Sequence, residues 1–244
     1  MIGITPYKTD LFIPTYQPIK NDRWEMTITP MHLSRGYWSE SALVQNMAAL
    51  SRFADDGSKS VWMSTTPMEM ESQEIGIRLS TGYTLVAGMG MGWAAINAAL
   101  RPDVTRVTVV ELDPEVIAMN EALGTFRNLP DEAARKIEIV NASALEFKSD
   151  APVDTLMADI WLPLNGDGRV DQTRIMAENT QARRVYIWGQ EMVIARRARA
   201  LGLDLTHDNV ARIIDELGLP LIGLEWPNYP ELVALVASRW LKDV

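Results

Sequence analysis

Three glycines and two acids are the residues whose types and spacing carry chemistry. Gly88, Gly90 and Gly92 alternate within Leu85-Val-Ala-Gly-Met-Gly-Met-Gly-Trp93. A glycine turn lets another group approach the backbone, because no Cβ stands in the way. It also leaves N–H groups free at the start of the helix that follows. Glu111 follows Gly92 by 19 residues, and Asp159 ends a later apolar run. An acid at that distance, at the end of the next strand, accepts hydrogen bonds from both hydroxyls of a ribose. The three features together predict a turn that holds a nucleoside-like ligand with an acid near each end.

Those residues need a scaffold, and the patterning supplies one. Thr84 to Ala87 reads as a strand, and the alanine-rich run from Trp93 to Leu100 as a helix. Arg106 to Glu111 is a second strand. Asp113, Pro114 and Gly124 then fit the N-cap, the first position and the terminator of a helix. Lys136 to Val140 is a third strand, with a short helical turn from Ser143 to Phe147. Val153 to Ile160 is a fourth strand, followed by a loop over 163–169 and a helix from about Asp171 to Ala182. Arg184 to Trp188 is a fifth strand, and a helix from Gln190 to Leu201 stops at Gly202. Five alternations imply right-handed crossovers and a mainly parallel sheet covered on both faces, an α/β doubly wound, Rossmann-like core.

The flanks read differently. Pro6, Pro14, Pro18 and Pro30 keep residues 1–36 from forming a long helix, although Trp24 to Thr29 alternates like a strand. Leu43, Met47, Leu50 and Ala54 recur at helical spacing, with Ser39 as a cap and Asp55-Asp56-Gly57 as the end. That predicts a lid-like helix, or one packed on the sheet edge. A short strand from Val61 leads to a helix from Pro67 to about Leu79, capped by Thr65 or Thr66, with Glu69 and Gln73 on one face. Val210, Ile213, Ile214 and Leu217 mark an amphipathic helix closed by Gly218, and Leu232 to Trp240 a second. The division is therefore residues 1–60 as arm and lid-like helix, 61–202 as core, and 203–244 as a C-terminal helical extension of the same domain.

Composition narrows the chemistry. The charge is −9 from 23 basic and 32 acidic residues, which argues against a phosphate backbone as partner. There is no cysteine and there are two histidines, His32 and His207. Disulfides, thiolate metal sites and a cysteine nucleophile are thereby excluded, and no metal is expected. Residues 1–20 carry prolines and no apolar core of a signal peptide, and no apolar run reaches the length of a membrane span. The expectation is a cytoplasmic protein acting on a small molecule, with the apolar tail helices free to form a homodimer interface. Arg183, Arg184, Arg196, Arg197 and Arg199 read as a solvated face.

The pattern resembles a known family. A dinucleotide fold wants a third glycine where Trp93 stands, whereas G-x-G-x-G is commoner among proteins that bind S-adenosylmethionine. Residues from about Val61 to Leu201 resemble class I S-adenosylmethionine-dependent methyltransferases, and within them the spermidine-synthase-like branch. The likeness rests on Val107-Thr-Val-Val-Glu-Leu-Asp-Pro-Glu-Val-Ile117, Ile137 to Phe147, Val153 to Asp159 and Pro67 to Ile75. It implies S-adenosylmethionine as cofactor, with Gly88, Met89, Gly90 and Gly92 along it, and Glu111 and Leu112 at the ribose. It further implies Ser143 and Ala144 at the adenine, Gln73 and Glu69 at the methionine end, and Asp159 as the catalytic group facing the sulfonium and the substrate. Trp161 would line the reaction pocket, since an aromatic face attracts a sulfonium. Ser143 replaces the family's adenine-binding aspartate, and Leu162 its second loop carboxylate. Methyl transfer to a small molecule is the expectation. Aminopropyl transfer, cyclisation or lysis of the cofactor with release of methylthioadenosine, and a non-catalytic sensor or partner subunit stand as alternatives.

Overall fold

The computed structural model of the protein describes residues 5–242. An antiparallel sheet comes first, made of β1 (Ile19–Lys20), β2 (Trp24–Ser34), β3 (Ala42–Phe53) and β4 (Lys59–Ser64) in that order. The expected helix over 39–54 is therefore a strand. Its apolar residues serve two faces. Ala48 and Leu50 pack into the main core with Trp24 and Met26, while Val44, Met47 and Ala49 cluster with Tyr7 on the other side. Asn46, at φ 50°, breaks the alternation between them. Burial on both faces plus one break imitates a helical repeat. The pairing of β2 and β4 on its two edges decides the outcome. Asp55-Asp56-Gly57 forms the hairpin turn to β4, where Gly57 N–H donates to the Ala54 carbonyl (2.9 Å). Ser39 caps nothing; its N–H donates to the buried Glu71 carboxylate (3.1 Å).

Then the alternating part begins: α1 (Pro67–Leu79), β5 (Gly82–Ala87), α2 (Trp93–Ala99), β6 (Val104–Glu111), α3 (Pro114–Leu123), α4 (Asp131–Ala134), β7 (Ile137–Asn141), β8 (Thr155–Ala158), α5 (Arg169–Thr180), β9 (Val185–Ile187) and α6 (Gln190–Leu201). Thr66 caps α1 with Pro67 inside its first turn, and Asp113 caps α3, as the sequence indicates. The five parallel strands lie in the order β7-β6-β5-β8-β9. That order reverses direction at β5, and ligands in such sheets sit at the carboxyl ends beside the reversal. Apolar side chains fill both faces: Val107 and Val109 with α2 and α3 on one, Leu85, Leu156 and Ile187 with α6 on the other.

The chain closes with α7 (His207–Leu217) and α8 (Tyr229–Trp240), where Val210, Ile213, Ile214 and Val233 join the second core. Within the basic cluster Arg183 pairs with Asp154, Arg184 with Glu225, Arg196 with Asp167 and Arg197 with Glu216 at the surface. Exposed pairs of this kind contribute about 0–1 kcal/mol each, so they tune the surface rather than the fold. Among the described residues no helix is long and apolar enough to cross a membrane.

Candidate functional site

A cavity of about 330 Å³ opens at the carboxyl ends of β5, β6 and β8. Its floor is the glycine turn. Gly88 has φ +93°, and a Cβ there would stand 2.0 Å from the Asp159 carbonyl oxygen. Glycine is required at 88 because β5 and β8 leave the sheet side by side. At Gly90, φ +50°, a Cβ would meet the Met63 sulfur at 2.6 Å. Met63 Sδ accepts the Met91 N–H at 3.3 Å. The N-terminal sheet therefore sits directly on the turn.

Each acid reaches the cavity from a strand end. Glu111, at the end of β6, accepts the Met89 N–H on Oε2 (2.9 Å) and the Asp113 N–H on Oε1 (2.8 Å). Burial raises its carboxyl above the usual range, and those two N–H groups partly offset the rise. Each oxygen keeps a lone pair for a further donor. Asp159 follows β8, and its Oδ2 accepts from the Gln73 side-chain amide of α1. Burial pushes its carboxyl up to about 7, against the pull of Gln73 and of the Arg169 charge. Glu69, one turn before Gln73, is 7% exposed; burial and then the Asp159 charge drive its carboxyl well above the usual value. The cavity thus has an end with two mutually repelling acids and another with one acid anchored by backbone.

Of the residues singled out from the sequence, Gly88, Met89, Gly90, Glu111 and Leu112 line this cavity, as do Ser143, Ala144, Gln73, Glu69, Asp159 and Trp161. Gly92 does not. It is the N-cap of α2 at φ +75°, and a Cβ there would face Phe126 (2.9 Å) and Thr125 (3.0 Å). Leu112 is 70% exposed, an apolar surface at the rim. Trp161 is already engaged: its indole N–H donates to Gln172, and the Arg169 guanidinium lies 5.1 Å from its ring. The ring expected to attract a cation already carries one.

Two groups of lining or supporting residues escape a reading of the sequence. The first is the wall given by the antiparallel sheet. A bulge between the Leu50–Met63 and Ser51–Val61 pairs leaves Trp62 as the extra residue, and its ring meets Trp24 edge-on at 5.5 Å. The Arg52 guanidinium lies 5.7 Å and 5.9 Å from the two rings. Arg23 and the Trp24 indole then tie this wall to the Asp113 carboxylate (2.8 and 3.0 Å). The alternation at Trp24 is visible in the sequence, but not its partner. The second is Arg169, whose partners are backbone carbonyls and leave no side-chain signature. Among the described residues no three His, Cys, Asp or Glu side chains converge as a metal site.

No protein-family model and no curated protein matches this chain. Solved structures do. The chain is similar to the methyltransferase domain of bacterial CtHen1-C, with 13% identity, a TM-score of 0.38 and coverage of 48% of this chain and 65% of that one. It is similar to the glycopeptide N-methyltransferase MtfA complexed with S-adenosyl-L-methionine, at 18% identity, a TM-score of 0.35 and coverage of 46% and 47%. It is also similar to the N-methyltransferase NodS from Bradyrhizobium japonicum WM9, at 21%, 0.35 and coverage of 48% and 62%. The aligned part spans less than two thirds of each of those chains. At these scores the reading of the site rests on its own geometry.

Proposed function

We propose that this chain is an S-adenosylmethionine-dependent transferase that moves a methyl group to a small molecule. One observation carries the reading: a single cavity at the switch point collects the ribose-type acid Glu111, the glycine turn and, at its other end, the acids Glu69 and Asp159. The residues suit such a cofactor. Glu111 has acceptor capacity left for two hydroxyls, exposed Leu112 with Ser143 and Ala144 offers a flat flank for a base, and Gln73 with Glu69 offers polar groups for an amino-acid end. The cofactor, when bound, supplies a methyl group already activated on a cationic sulfur.

The chain's own part is then alignment, exclusion of water and one proton. Asp159, with its carboxyl near 7, is partly ionised at neutral pH, which suits a group that orients an amine or hydroxyl and takes its proton. The Trp24–Trp62 wall closes the side of the cavity beside Asp113 and limits the entry of water there. The net charge of −9 favours a small acceptor over a nucleic acid.

Incubation of the pure protein with S-adenosylmethionine, alone and with amine and hydroxyl acceptors, followed by mass spectrometry, tests this. S-adenosylhomocysteine formed only with an acceptor supports methyl transfer. Methylthioadenosine formed without one would overturn it in favour of self-cleavage. Turnover of only the decarboxylated cofactor with a diamine would overturn it in favour of aminopropyl transfer. Binding without any turnover would make the chain a sensor.

A further inference from the structure

Arg169 is the largest charged side chain buried among the described residues, at 2% exposure. A bare buried guanidinium is costly, so its setting has to be explained. All three of its nitrogens are used, and all on main-chain carbonyls. Nε donates to Gly166 (3.2 Å), Nη2 to Pro163 and Nη1 to Trp188. Pro163 and Gly166 belong to the loop that leaves β8 just after Asp159, and Trp188 to the loop that leaves β9. The guanidinium carbon lies 5.1 Å from the centre of the Trp161 ring and 5.7 Å from that of Trp188.

The surroundings are cut to fit. A Cβ on Gly189 would stand 3.1 Å from Nη1, and one on Gly166 would stand 3.4 Å from Nη2. The two tryptophans are themselves fixed, Trp161 through Gln172 of α5 and Trp188 through the Ser72 hydroxyl of α1 (2.7 Å). A lysine has neither the planar fork nor five donors and would not bridge three carbonyls at once.

We propose that Arg169 is a positioning residue that locks the β8 and β9 exit loops together, so that Asp159 and Trp161 face the cavity beside a fixed positive charge. The proposal deepens the transferase reading, because it is Asp159 in its proposed role that Arg169 serves. Four groups face Asp159 from the elements packed on it: Glu69 and Gln73 from α1, Tyr186 from β9 and Arg169 from α5. Glu69 and Tyr186 bring only negative charge when ionised, and Gln73 brings a neutral amide. Arg169 is the one cation of the set, so its removal leaves the Gln73 hydrogen bond alone against burial.

The experiment reads Asp159 directly, without turnover. The titration of its side-chain carboxyl is followed by carbon-13 NMR in the free protein, in the wild type, in Arg169→Met and in Arg169→Lys. Arg169→Met is expected to raise the midpoint by about one pH unit or more, and Arg169→Lys by less, because its charge remains but wanders. S-adenosylhomocysteine affinity by calorimetry is expected to stay within about threefold, since no contact at Glu111 is touched. An unchanged midpoint in a folded Arg169→Met would overturn the proposal. If that variant does not fold, an unchanged midpoint in a folded Arg169→Gln, which also removes the charge, does so instead. Loss of transferase activity in the wild-type assay would sink the reading of the reaction while leaving this titration informative about the lock.

Discussion

Two acids in this molecule share a carboxyl pushed up to about 7, one half-buried at a cavity and one fully buried in the core. Asp159 stands at the end of β8 and faces a cavity. Glu191 stands in the first turn of α6, fully buried, and does not line that cavity. Around Glu191 the space is closed by hydroxyls. Tyr37 donates to Oε2 at 2.9 Å and Tyr229 to Oε1 at 3.2 Å, while the Gln190 amide donates to the Tyr229 oxygen at 2.7 Å. The knot binds α6 and α8 to the β2–β3 connection. Burial raises both acids; it is access that separates a group able to exchange a proton with a ligand from one that can only strain or steady the fold.

The sharpest way to break this contrast is Asp159→Asn. Loss of a positioned proton acceptor should lower kcat by about 10²–10⁴-fold, while the Kd for S-adenosylhomocysteine moves little. Steady-state kinetics beside calorimetry separates the two. A variant that retains wild-type kcat would leave Asp159 no more functional than Glu191.

Next comes Glu191→Gln, read as stability. The folded carboxyl is raised from 4.5 to about 7, so the folded state holds its proton at pH values where the unfolded state has released it. Stability from this group is complete below about 4.5 and is lost as pH rises through about 7, a fall of the order of 3 kcal/mol. Urea unfolding at pH 5 and pH 8 should show a clearly smaller fall in Glu191→Gln, with kcat unchanged. An identical fall in both proteins would mean that the tyrosine hydroxyls already compensate the charge.

Glu111→Ala sharpens the contrast from the other end of the cavity. Two hydrogen bonds to ribose hydroxyls contribute about 0.5–1.5 kcal/mol each, so the Kd for S-adenosylhomocysteine should rise about 10- to 100-fold. Saturating cofactor should restore kcat. If kcat stays low at saturation, Glu111 is part of the reaction and the division of the cavity into a holding end and a reacting end fails.

How much of this could be read without coordinates depends on where each residue's partners lie. The parallel sheet is legible because its inner strands, buried on both faces, read as near-continuous apolar runs such as Val107 to Val110, interrupted only by the buried Thr108. Ala42–Phe53 is not, because its two-sided burial and the break at Asn46 mimic a helical repeat, and its partners β2 and β4 leave no local mark. The cavity's glycine and acid residues were visible through spacing, all but Gly92, whose outward turn depends on Phe126. The Trp24–Arg52–Trp62 wall follows from a β-bulge, Arg169 from three carbonyls, and Glu191 from tyrosines 38 and 154 residues away. Long-range partners of that kind have no signature in composition or period.

The smallest expected effect tests the closed region alone. Tyr37→Phe removes one hydroxyl and keeps the ring, while the Tyr37 carbonyl still accepts the Trp240 indole N–H at 3.0 Å. Tyr37 stands outside the cavity, so kcat and cofactor affinity should not move. Stability should fall by about 1 kcal/mol at pH 5, where Glu191 is neutral, and by about 2 kcal/mol at pH 8, because a donor to a charged acceptor contributes more than one to a neutral acceptor. The difference between the two pH values is what matters: an equal loss at both would mean that Glu191 does not ionise in the folded protein over that range. In that case its carboxyl lies higher than Asp159's, and the two acids part company in their titration as well as in their access.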